Sequence, residues 1–192
     1  MRLLLATSNN GKAEEFRRVL EPCGFELVTL EAFPEAPHPK ETESTFGGNA
    51  RLKAEHYHRL TGLPALADDS GLEVDALNGR PGVHSARLAD NDPERIRRLL
   101  EMLSAQGALK ESQRSARFVC ALCLMAPGKV FEVEGRVKGV IIDAPRGQQG
   151  FGYDPVFYYP PLKRTFAEIP AKAKNRISHR AKALDKLLKA LS

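Results

Sequence analysis

The 192-residue sequence contains no run of about 18 apolar residues, which is the length that a membrane-spanning helix requires. Its opening stretch, MRLLLATSNN, has about four apolar residues before polar ones follow, whereas a secretory signal needs about 7–15. Three cysteines are an odd number, which argues against a disulfide framework. These absences predict a cytoplasmic protein without a membrane partner.

Several common catalytic signatures are also missing. The sequence has no GxxxxGK[ST] phosphate loop, no GxSxG nucleophile motif and no histidine–cysteine cluster suited to zinc. Cys120 and Cys123 have C-x-x-C spacing, but they fall in a predicted strand, where their side chains would point to opposite faces. We therefore predict that both are buried apolar filling and serve neither metal binding nor redox chemistry.

Charge is unevenly distributed along the chain. The 29 basic and 24 acidic residues give a net charge of +5, but residues 163–192 alone hold nine basic and two acidic residues. Such a basic tail suits a polyanion, which could be nucleic acid, an acidic membrane surface or nucleotide phosphates. A solvated helix face explains the same charge equally well, so charge alone leaves the alternatives open.

Hydrophobic periodicity predicts an α/β fold with a mixed sheet, because strands and helices alternate early in the chain and a hairpin follows later. The length suits one domain of ordinary size or one with two lobes. The predicted strands cover residues 2–7, 25–30, 65–67, 72–76, 116–126 and 129–137. The predicted helices cover 13–20, 46–57, 93–103 and 177–191.

A polar turn between the first strand and the first helix is a candidate anion site. Free backbone N–H groups and the positive end of the helix dipole meet at such a turn, and a lysine adds a mobile charge. An ordinary polar turn is the alternative interpretation. The residues are Thr7, Ser8, Asn9, Asn10, Gly11 and Lys12.

Carboxylates form the second candidate group. Asp68 and Asp69 fall where a predicted strand ends, so one can face a site while the other braces the backbone. Glu41 and Glu43 lie in a loop before the second helix. One or two carboxylates together with substrate phosphates are what Mg²⁺ prefers. Taken alone, an Asp–Asp pair is also common in surface turns.

The third group combines aromatic, glycine and basic residues. Phe151 to Asp154 reads FGYD, and Lys174 and the Ser178-His179-Arg180 segment follow. Aromatic rings beside glycines can stack on a flat base, and arginine offers a rigid fork of donors. The alternative is a core aromatic pair beside a basic helix.

Together, these segments resemble the inosine/xanthosine triphosphate pyrophosphatase family. The matching segments fall in the family's order and extend almost from end to end of the chain. They are ATSNNGKAEEF at 6–16, TFGGNARLKA at 45–54, LADDSGLEVDALNGRPGVHSAR at 66–87, FGYDPVF at 151–157, TFAEI at 165–169 and KNRISHRAKAL at 174–184.

The resemblance implies an Mg²⁺-dependent enzyme that hydrolyses deaminated purine nucleoside triphosphates to the monophosphate and pyrophosphate. It also implies a single domain over residues 1–192, built on a long mixed sheet flanked by helices, in two lobes with the active-site cleft between them. The implied partners are the purine nucleotide and a second copy of the chain in a homodimer, with no nucleic acid.

The resemblance also assigns roles to individual residues. Glu41 and Asp69 match the metal site, and Asp69 matches the base that activates water. Ser70 and Lys53 match polar neighbours of the phosphates. The residues that match the phosphate loop are Thr7, Asn9 and Lys12, with Ser8, Asn10 and Gly11 between or beside them. The residues that match the base pocket are Phe151, Gly152, Tyr153, Asp154, Lys174, His179 and Arg180.

Two positions depart from the family pattern. Gly48 stands where the family usually has Glu, which removes one carboxylate near the site and leaves Glu41 or Glu43 with more of its role. His84 stands where the family usually has Tyr, a minor change in the loop after the Asp–Asp strand.

Two other functions remain as alternatives. A Maf-like pyrophosphatase would have a related architecture but act on modified or pyrimidine nucleotides. A basic nucleic-acid-binding module would use the positive tail, bind with steep salt dependence and release no pyrophosphate. That module leaves Glu41, Asp68 and Asp69 unexplained, since they would repel a phosphate backbone.

Overall fold

Residues 1–191 are described in a computed structural model, in which seven strands and five α-helices are present; Ser192, the last residue of the predicted domain, lies outside the described residues. The strands are β1 (Arg2–Leu5), β2 (Glu26–Thr29), β3 (Ala65–Val74), β4 (Ser115–Ala126), β5 (Lys129–Ile141), β6 (Phe157–Tyr159) and β7 (Arg164–Thr165). The helices are α1 (Asn10–Leu20), α2 (Phe46–Thr61), α3 (Asp92–Ala105), α4 (Ala171–Ile177) and α5 (His179–Leu191).

The strands form one mixed sheet in the order β2-β1-β3-β4-β5-β6-β7. β1 lies parallel to both β2 and β3, with Leu4 opposite Val28 on one side and Ala65 on the other. Helical crossovers α1 and α2 make these parallel pairings possible. β5, β6 and β7 pair antiparallel in sequence. The predicted α/β class with a mixed sheet is confirmed.

The chain divides into two compact units, and the first consists of Met1–Asp69, Cys120–Gly135 and the chain from Arg180 onward. In its core, α1 and α5 pack on the amino-terminal strands and on β4. Cys120 and Cys123 are buried in β4, as predicted, and burial raises the pKa of Cys123 to about 12. The main core residues are Leu3, Leu5, Phe16, Leu20, Leu66, Leu122, Leu184 and Leu187.

The second unit consists of Ser70–Val119 and Arg136–His179. Three aromatic rings mark its core, with centroids of Phe118 and Phe157 4.5 Å apart and those of Phe157 and Phe166 4.9 Å apart. The α3 side chains Ile96, Leu99 and Leu103 complete the core, and their spacing places them on one face of the helix.

The prediction that a strand ends at Asp68 and a separate one begins at residue 72 is wrong. β3 runs without interruption from Ala65 to Val74. Both aspartates are buried in the strand and paired with basic side chains, so their charge does not force the chain into a solvated turn.

Other element boundaries differ from the predictions for local reasons. α3 begins at Asp92, one residue before the predicted start, because the side chain of Asn91 caps it by accepting the N–H of Glu94. The terminal helix is interrupted at Ser178, whose backbone is extended (φ −66°, ψ 161°), and this separates α4 from α5. β6 and β7 have three and two residues, which is too short for an alternating pattern to reveal. No helix within residues 1–191 is long and apolar enough to cross a membrane.

The start of α2 carries two consecutive glycines with different surroundings. Thr45 caps the helix by accepting the N–H of Gly48 at 3.1 Å. A Cβ built on Gly48 would lie 2.8 Å from Cβ and 2.9 Å from Cγ of Glu43, whereas one on Gly47 would meet no atom within 4 Å. The stem of Glu43 therefore lies against position 48 and leaves position 47 open.

We expect Gly47→Ala to raise the free energy of unfolding by up to about 1 kcal/mol, because alanine loses less backbone entropy than glycine in a helix. Gly48→Ala should gain less or lose stability, since Glu43 must move. Urea denaturation of both variants, alone and combined with Glu43→Gly, measures the difference. An equal gain in the two single variants would contradict the close packing of Glu43.

Candidate active site

The turn after β1 presents a helix start without a neutralising acid. Asn9 caps α1 by accepting the backbone N–H of Lys12 at 3.0 Å, and Thr7 Oγ1 accepts the N–H of Asn9 at 3.2 Å. The first turn of α1 contains no acidic residue. The helix dipole therefore leaves this end positive, as an anion site requires.

A pocket of about 530 Å³ opens beside this turn. Thr7, Ser8 and Asn10 line it, together with His38 and Tyr57, whose Nδ1 and hydroxyl lie 2.9 Å apart. Three of the six residues of the predicted phosphate loop therefore border open space. The other three are Asn9, Gly11 and Lys12.

Asp68 lies inside a network of buried charges. Its Oδ2 is 2.7 Å from Nζ of Lys12 and 3.8 Å from Nη2 of Arg180, and Arg180 also donates to Glu15. Burial by itself would raise the pKa of Asp68, but Lys12 and Arg180 outweigh it and hold that pKa well below its usual range. Asp68 is therefore a permanently ionised member of the first unit's core.

Asp69, the next residue, has a different set of partners. Nζ of Lys53 lies 2.7 Å from Oε1 of Glu41 and 3.6 Å from Oδ1 of Asp69, so one ammonium group joins the two carboxylates. Asn49 donates to the other oxygen of Asp69 at 3.1 Å. The two aspartates contact different helices, as alternation along a strand predicts.

The pKa values reflect these different surroundings. Burial raises the pKa of Asp69, Lys53 opposes the rise, and the like charge of Glu41 adds to it. Burial lowers the pKa of Lys53, but Asp68, Asp69 and Glu41 outweigh that effect and raise it. Asp69 is thus a carboxylate whose charge is incompletely compensated, and a further cation beside it would be stabilised.

The chemistry of this pair suits Mg²⁺. No group of three or more acidic, histidine or cysteine side chains within residues 1–191 is placed to hold a metal. Mg²⁺ is usually bound by one or two carboxylates together with substrate phosphates and water, so Glu41 and Asp69 are a sufficient set. Lys53 already holds a positive charge at both carboxylates.

In the second unit, carboxylates order the segment from Phe151 to Asp154. Oδ2 of Asp154 accepts the N–H of Phe151 at 3.0 Å, and Oδ2 of Asp92 accepts the N–H of Gly152 at 2.7 Å. The hydroxyl of Tyr153 donates to the carbonyl of Ser85 at 2.8 Å. Burial raises the pKa of Tyr153, so its hydroxyl remains a donor. The backbone of this segment is thereby fixed.

Lys174 joins the aromatic and acidic parts of this segment. Its Nζ lies 2.5 Å from Oδ2 of Asp154 and 4.9 Å from the ring centroid of Phe151. Phe151 is half-buried, whereas Tyr153, Asp154 and Lys174 are buried. Of the two predicted stacking aromatics, Phe151 has the more accessible ring and Tyr153 lies in the core.

The loop before this segment depends on glycine. Gly147 and Gly150 have φ values of +83° and +80°, which residues with a side chain rarely adopt. A Cβ on Gly147 would collide with the backbone of Ala167, and one on Gly150 would collide with Oδ2 of Asp154. With glycine at both positions, the loop lies closer to the backbone of Ala167 and to Oδ2 of Asp154 than residues with a side chain would allow.

The remaining predicted residues occupy defined places. His179 is buried and stacks on Phe118 in the second unit, with centroids 4.8 Å apart. Ser70 follows Asp69 in β3 and is half-buried. Arg180 belongs to the first unit, where it contacts Glu15 and Asp68. Its predicted contact with a base remains a prediction.

Comparison with known proteins identifies the family. The chain matches the Ham1 family over residues 3–190. The chain belongs to the Ham1 family. It is 50% identical to a dITP/XTP pyrophosphatase of Geobacillus kaustophilus, over 96% of this chain and 91% of that protein. It is also 50% identical to a dITP/XTP pyrophosphatase of Thermus thermophilus, over 99% and 91%.

Solved Ham1 structures share the fold. A HAM1 protein from Coxiella burnetii has a TM-score of 0.90 and 42% identity, covering 100% of this chain and 98% of that one. A dITP/XTP pyrophosphatase from Mycobacterium abscessus has a TM-score of 0.79 and 43% identity, with full coverage of both chains. The resemblance to the inosine/xanthosine triphosphate pyrophosphatase family is thereby confirmed.

Sequence reasoning missed three residues that order the candidate segments of this Ham1 protein, namely Asn49 and Glu15 in the first unit and Asp92 in the second. Asn49 could have been found, because it lies on the apolar stripe of α2, at helical spacing between Phe46 and Lys53. A polar residue on a buried stripe needs a hydrogen-bond partner. Glu15 and Asp92 gave no such signal, since Arg180 and Gly152, the groups that they bind here, are distant from them in sequence.

Removing the charge of the two adjacent aspartates should have different effects on the stability of the protein. We expect Asp68→Asn to lower the free energy of unfolding at pH 7 by about 3–5 kcal/mol, because it leaves buried cations uncompensated. Asp69→Asn should not lower it, because a raised pKa means that ionisation of Asp69 costs free energy in the folded state. Urea denaturation in EDTA measures both.

The pH dependence of this difference follows from the lowered pKa of Asp68. Its stabilisation is present above the unfolded-state pKa of about 3.9 and is lost as the pH falls below that value. The difference in free energy of unfolding between the parent protein and Asp68→Asn should therefore decrease as the pH falls below about 4. A gap that is constant down to pH 2 would contradict the ionised state of Asp68.

Proposed function

We propose that this protein hydrolyses deaminated purine nucleoside triphosphates (ITP, dITP and XTP) to the nucleoside monophosphate and pyrophosphate. The observation that carries the proposal is that Glu41 and Asp69 meet on the ammonium group of Lys53. The membership of the Ham1 family, whose relatives cited above are dITP/XTP pyrophosphatases, supports the same substrates.

Binding a triphosphate requires positive charge near its oxygens. Lys12 and Lys53 supply two ammonium groups, and the start of α1 supplies backbone N–H groups. Preorganised donors of this kind stabilise the charge that develops during transfer at phosphorus and need no reorganisation. We assign the phosphates to these residues and to Thr7, Ser8, Asn10 and Ser70.

Glu41 and Asp69 would hold Mg²⁺. When bound, the ion would offset the charge of the phosphate oxygens and act as a Lewis acid on phosphoryl oxygen. Lys53, which contacts both carboxylates, keeps a further positive charge at the site.

Asp69 is proposed to act on water. Its carboxylate would orient a water molecule and accept its proton while the water oxygen bonds to the α-phosphorus. The bond between the α-phosphorus and the oxygen that bridges to the β-phosphorus breaks, and pyrophosphate leaves with the electron pair.

Base selectivity is assigned to hydrogen bonding and stacking. Hypoxanthine and xanthine carry an oxygen at C6, where adenine carries an amino group. A donor aimed at that oxygen, from His179 or Arg180, would face the amino group of ATP donor to donor. Sites that depend on hydrogen bonds reject such analogues by about 10⁴-fold. Phe151, beside Lys174 and Asp154, offers the ring on which the base would stack.

The alternatives have less support. Membership of the Ham1 family over residues 3–190 does not favour a Maf-like enzyme. Much of the basic tail has partners inside the protein, since Lys174 contacts Asp154, Lys186 contacts the carbonyl of Glu134 and Lys189 contacts Asp185. A nucleic-acid-binding surface is therefore not needed to explain that charge. By the same resemblance, we propose a cytoplasmic homodimer, which analytical ultracentrifugation would test.

Pyrophosphate release from ITP, dITP, XTP, ATP, GTP and dTTP, with Mg²⁺ and with EDTA, tests the function. We expect release from the first three nucleotides only with Mg²⁺, and a kcat/KM for ATP lower by about 10⁴-fold. Hydrolysis of ATP or GTP as fast as ITP would overturn the assignment, and preferential hydrolysis of dTTP would favour the Maf-like alternative.

Asp69→Asn should lower kcat by at least about 10²-fold while the protein stays folded, because the variant removes both a metal ligand and the proposed base. Asp185→Asn is the matched control, since Asp185 is exposed in the same unit and pairs with Lys189, an exposed lysine one helical turn away. Steady-state kinetics with ITP compares them. A rate for Asp69→Asn near that of the control would remove Asp69 from the mechanism.

A further inference from the structure

Asn49 is the polar side chain of α2 that the interior encloses completely, with 0% of its surface exposed. It lies in the first turn of the helix, three residues after Phe46 and four before Lys53. Burial of an amide is destabilising unless hydrogen bonds replace its contacts with water. The partners of Asn49 therefore indicate what holds it there.

The hydrogen bonds of Asn49 fix the orientation of its amide. Oδ1 accepts the backbone N–H of Glu43 at 3.0 Å, which only the carbonyl end of the amide can do. The NH₂ end then donates to the carbonyl of Glu43 at 3.3 Å and to Oδ2 of Asp69 at 3.1 Å. One side chain thus joins the loop that carries Glu41 and Glu43 to strand β3.

These contacts separate the two oxygens of Asp69. Oδ2 accepts from Asn49, and Oδ1 lies toward Nζ of Lys53 at 3.6 Å. A carboxylate held at one oxygen by a buried donor cannot rotate freely about its last bond. The other oxygen is therefore presented to the space that Lys53 and Glu41 share.

The same side chain sets the position of Glu41. Two hydrogen bonds between Asn49 and the backbone of Glu43 anchor the chain two residues after Glu41. The side chain of Glu41 in turn lies 2.7 Å from Nζ of Lys53. Loss of the Asn49 amide would release both carboxylates at once.

We propose that Asn49 is a positioning residue that aligns the carboxylates of Glu41 and Asp69 to receive a divalent cation. This inference rests on the proposed function, because it concerns the same site. Donors that orient metal-binding carboxylates typically change metal affinity or activity by about 10–100-fold when they are removed.

Two substitutions test the proposal. Asn49→Ala removes the amide and leaves a space, whereas Asn49→Leu keeps a similar volume without any hydrogen-bonding group. Leu187→Ala is the control for lost stability, because Leu187 is a buried core residue of the same unit and takes no part in the site. Its truncation should destabilise the first unit without removing any group of the site.

The first readout is metal binding without turnover. Mn²⁺ is titrated by electron paramagnetic resonance in the presence of α,β-methylene ITP, in which carbon replaces the oxygen of the bond that would break. We expect both Asn49 variants to bind Mn²⁺ about 10–100-fold more weakly than the parent protein. Leu187→Ala, assayed below its melting temperature, should bind Mn²⁺ within about twofold of the parent.

The second readout is kinetic. With ITP, the Asn49 variants should need a higher Mg²⁺ concentration for half-maximal rate and show a lower kcat at fixed Mg²⁺. Their affinity for the nucleotide analogue in EDTA should stay within about twofold. Mn²⁺ affinity and kcat that match those of the parent in both variants would overturn the proposal, as would equal losses in Leu187→Ala.

Failure of the proposed function would look different. If the parent protein released no pyrophosphate from any deaminated nucleotide, the function would be wrong, while the Mn²⁺ titration would still decide the role of Asn49. If the parent was active and the Asn49 variants kept full Mn²⁺ affinity, only the inference about Asn49 would be wrong.

Discussion

Two adjacent carboxylates buried in one strand impose the main constraint on this protein. Burying an ionised carboxylate is costly unless opposite charge and hydrogen bonds accompany it. Asp68 has that compensation in full from Lys12 and Arg180. Asp69 shares the ammonium of Lys53 with Glu41, and its pKa is raised. One strand therefore carries a fully compensated carboxylate beside one whose charge is only partly compensated.

Helix positions around β3 follow from that constraint. α1 supplies Lys12 to Asp68, α2 supplies Asn49 and Lys53 to Asp69, and α5 supplies Arg180 to Asp68. These helices also contribute apolar side chains to the core, so both charge pairing and apolar packing fix the position of each helix. The same contacts that stabilise the first unit thus bring the proposed phosphate and metal groups together.

Much of this could be predicted from sequence, because the deciding signals are local. Periodicity located the main helices, and the period of two along a strand predicted that Asp68 and Asp69 would meet different partners. The family motifs assigned Lys53 and Glu41 to the site. What sequence alone could not supply was pairing across long separations, such as Arg180 with Glu15, 165 residues apart. The continuity of β3 was also missed, because burial of the two aspartates depends on those distant cations.

The glycine loop before Phe151 has a consequence for engineering this protein toward other bases. Gly147 and Gly150 leave no room for a Cβ, while Gln148 and Gln149 between them are exposed. In a combinatorial library that randomised the whole segment, most variants would replace one of these glycines and so displace Asp154 or the backbone at Ala167. Diversity confined to Gln148 and Gln149 would instead explore new contacts on an intact scaffold.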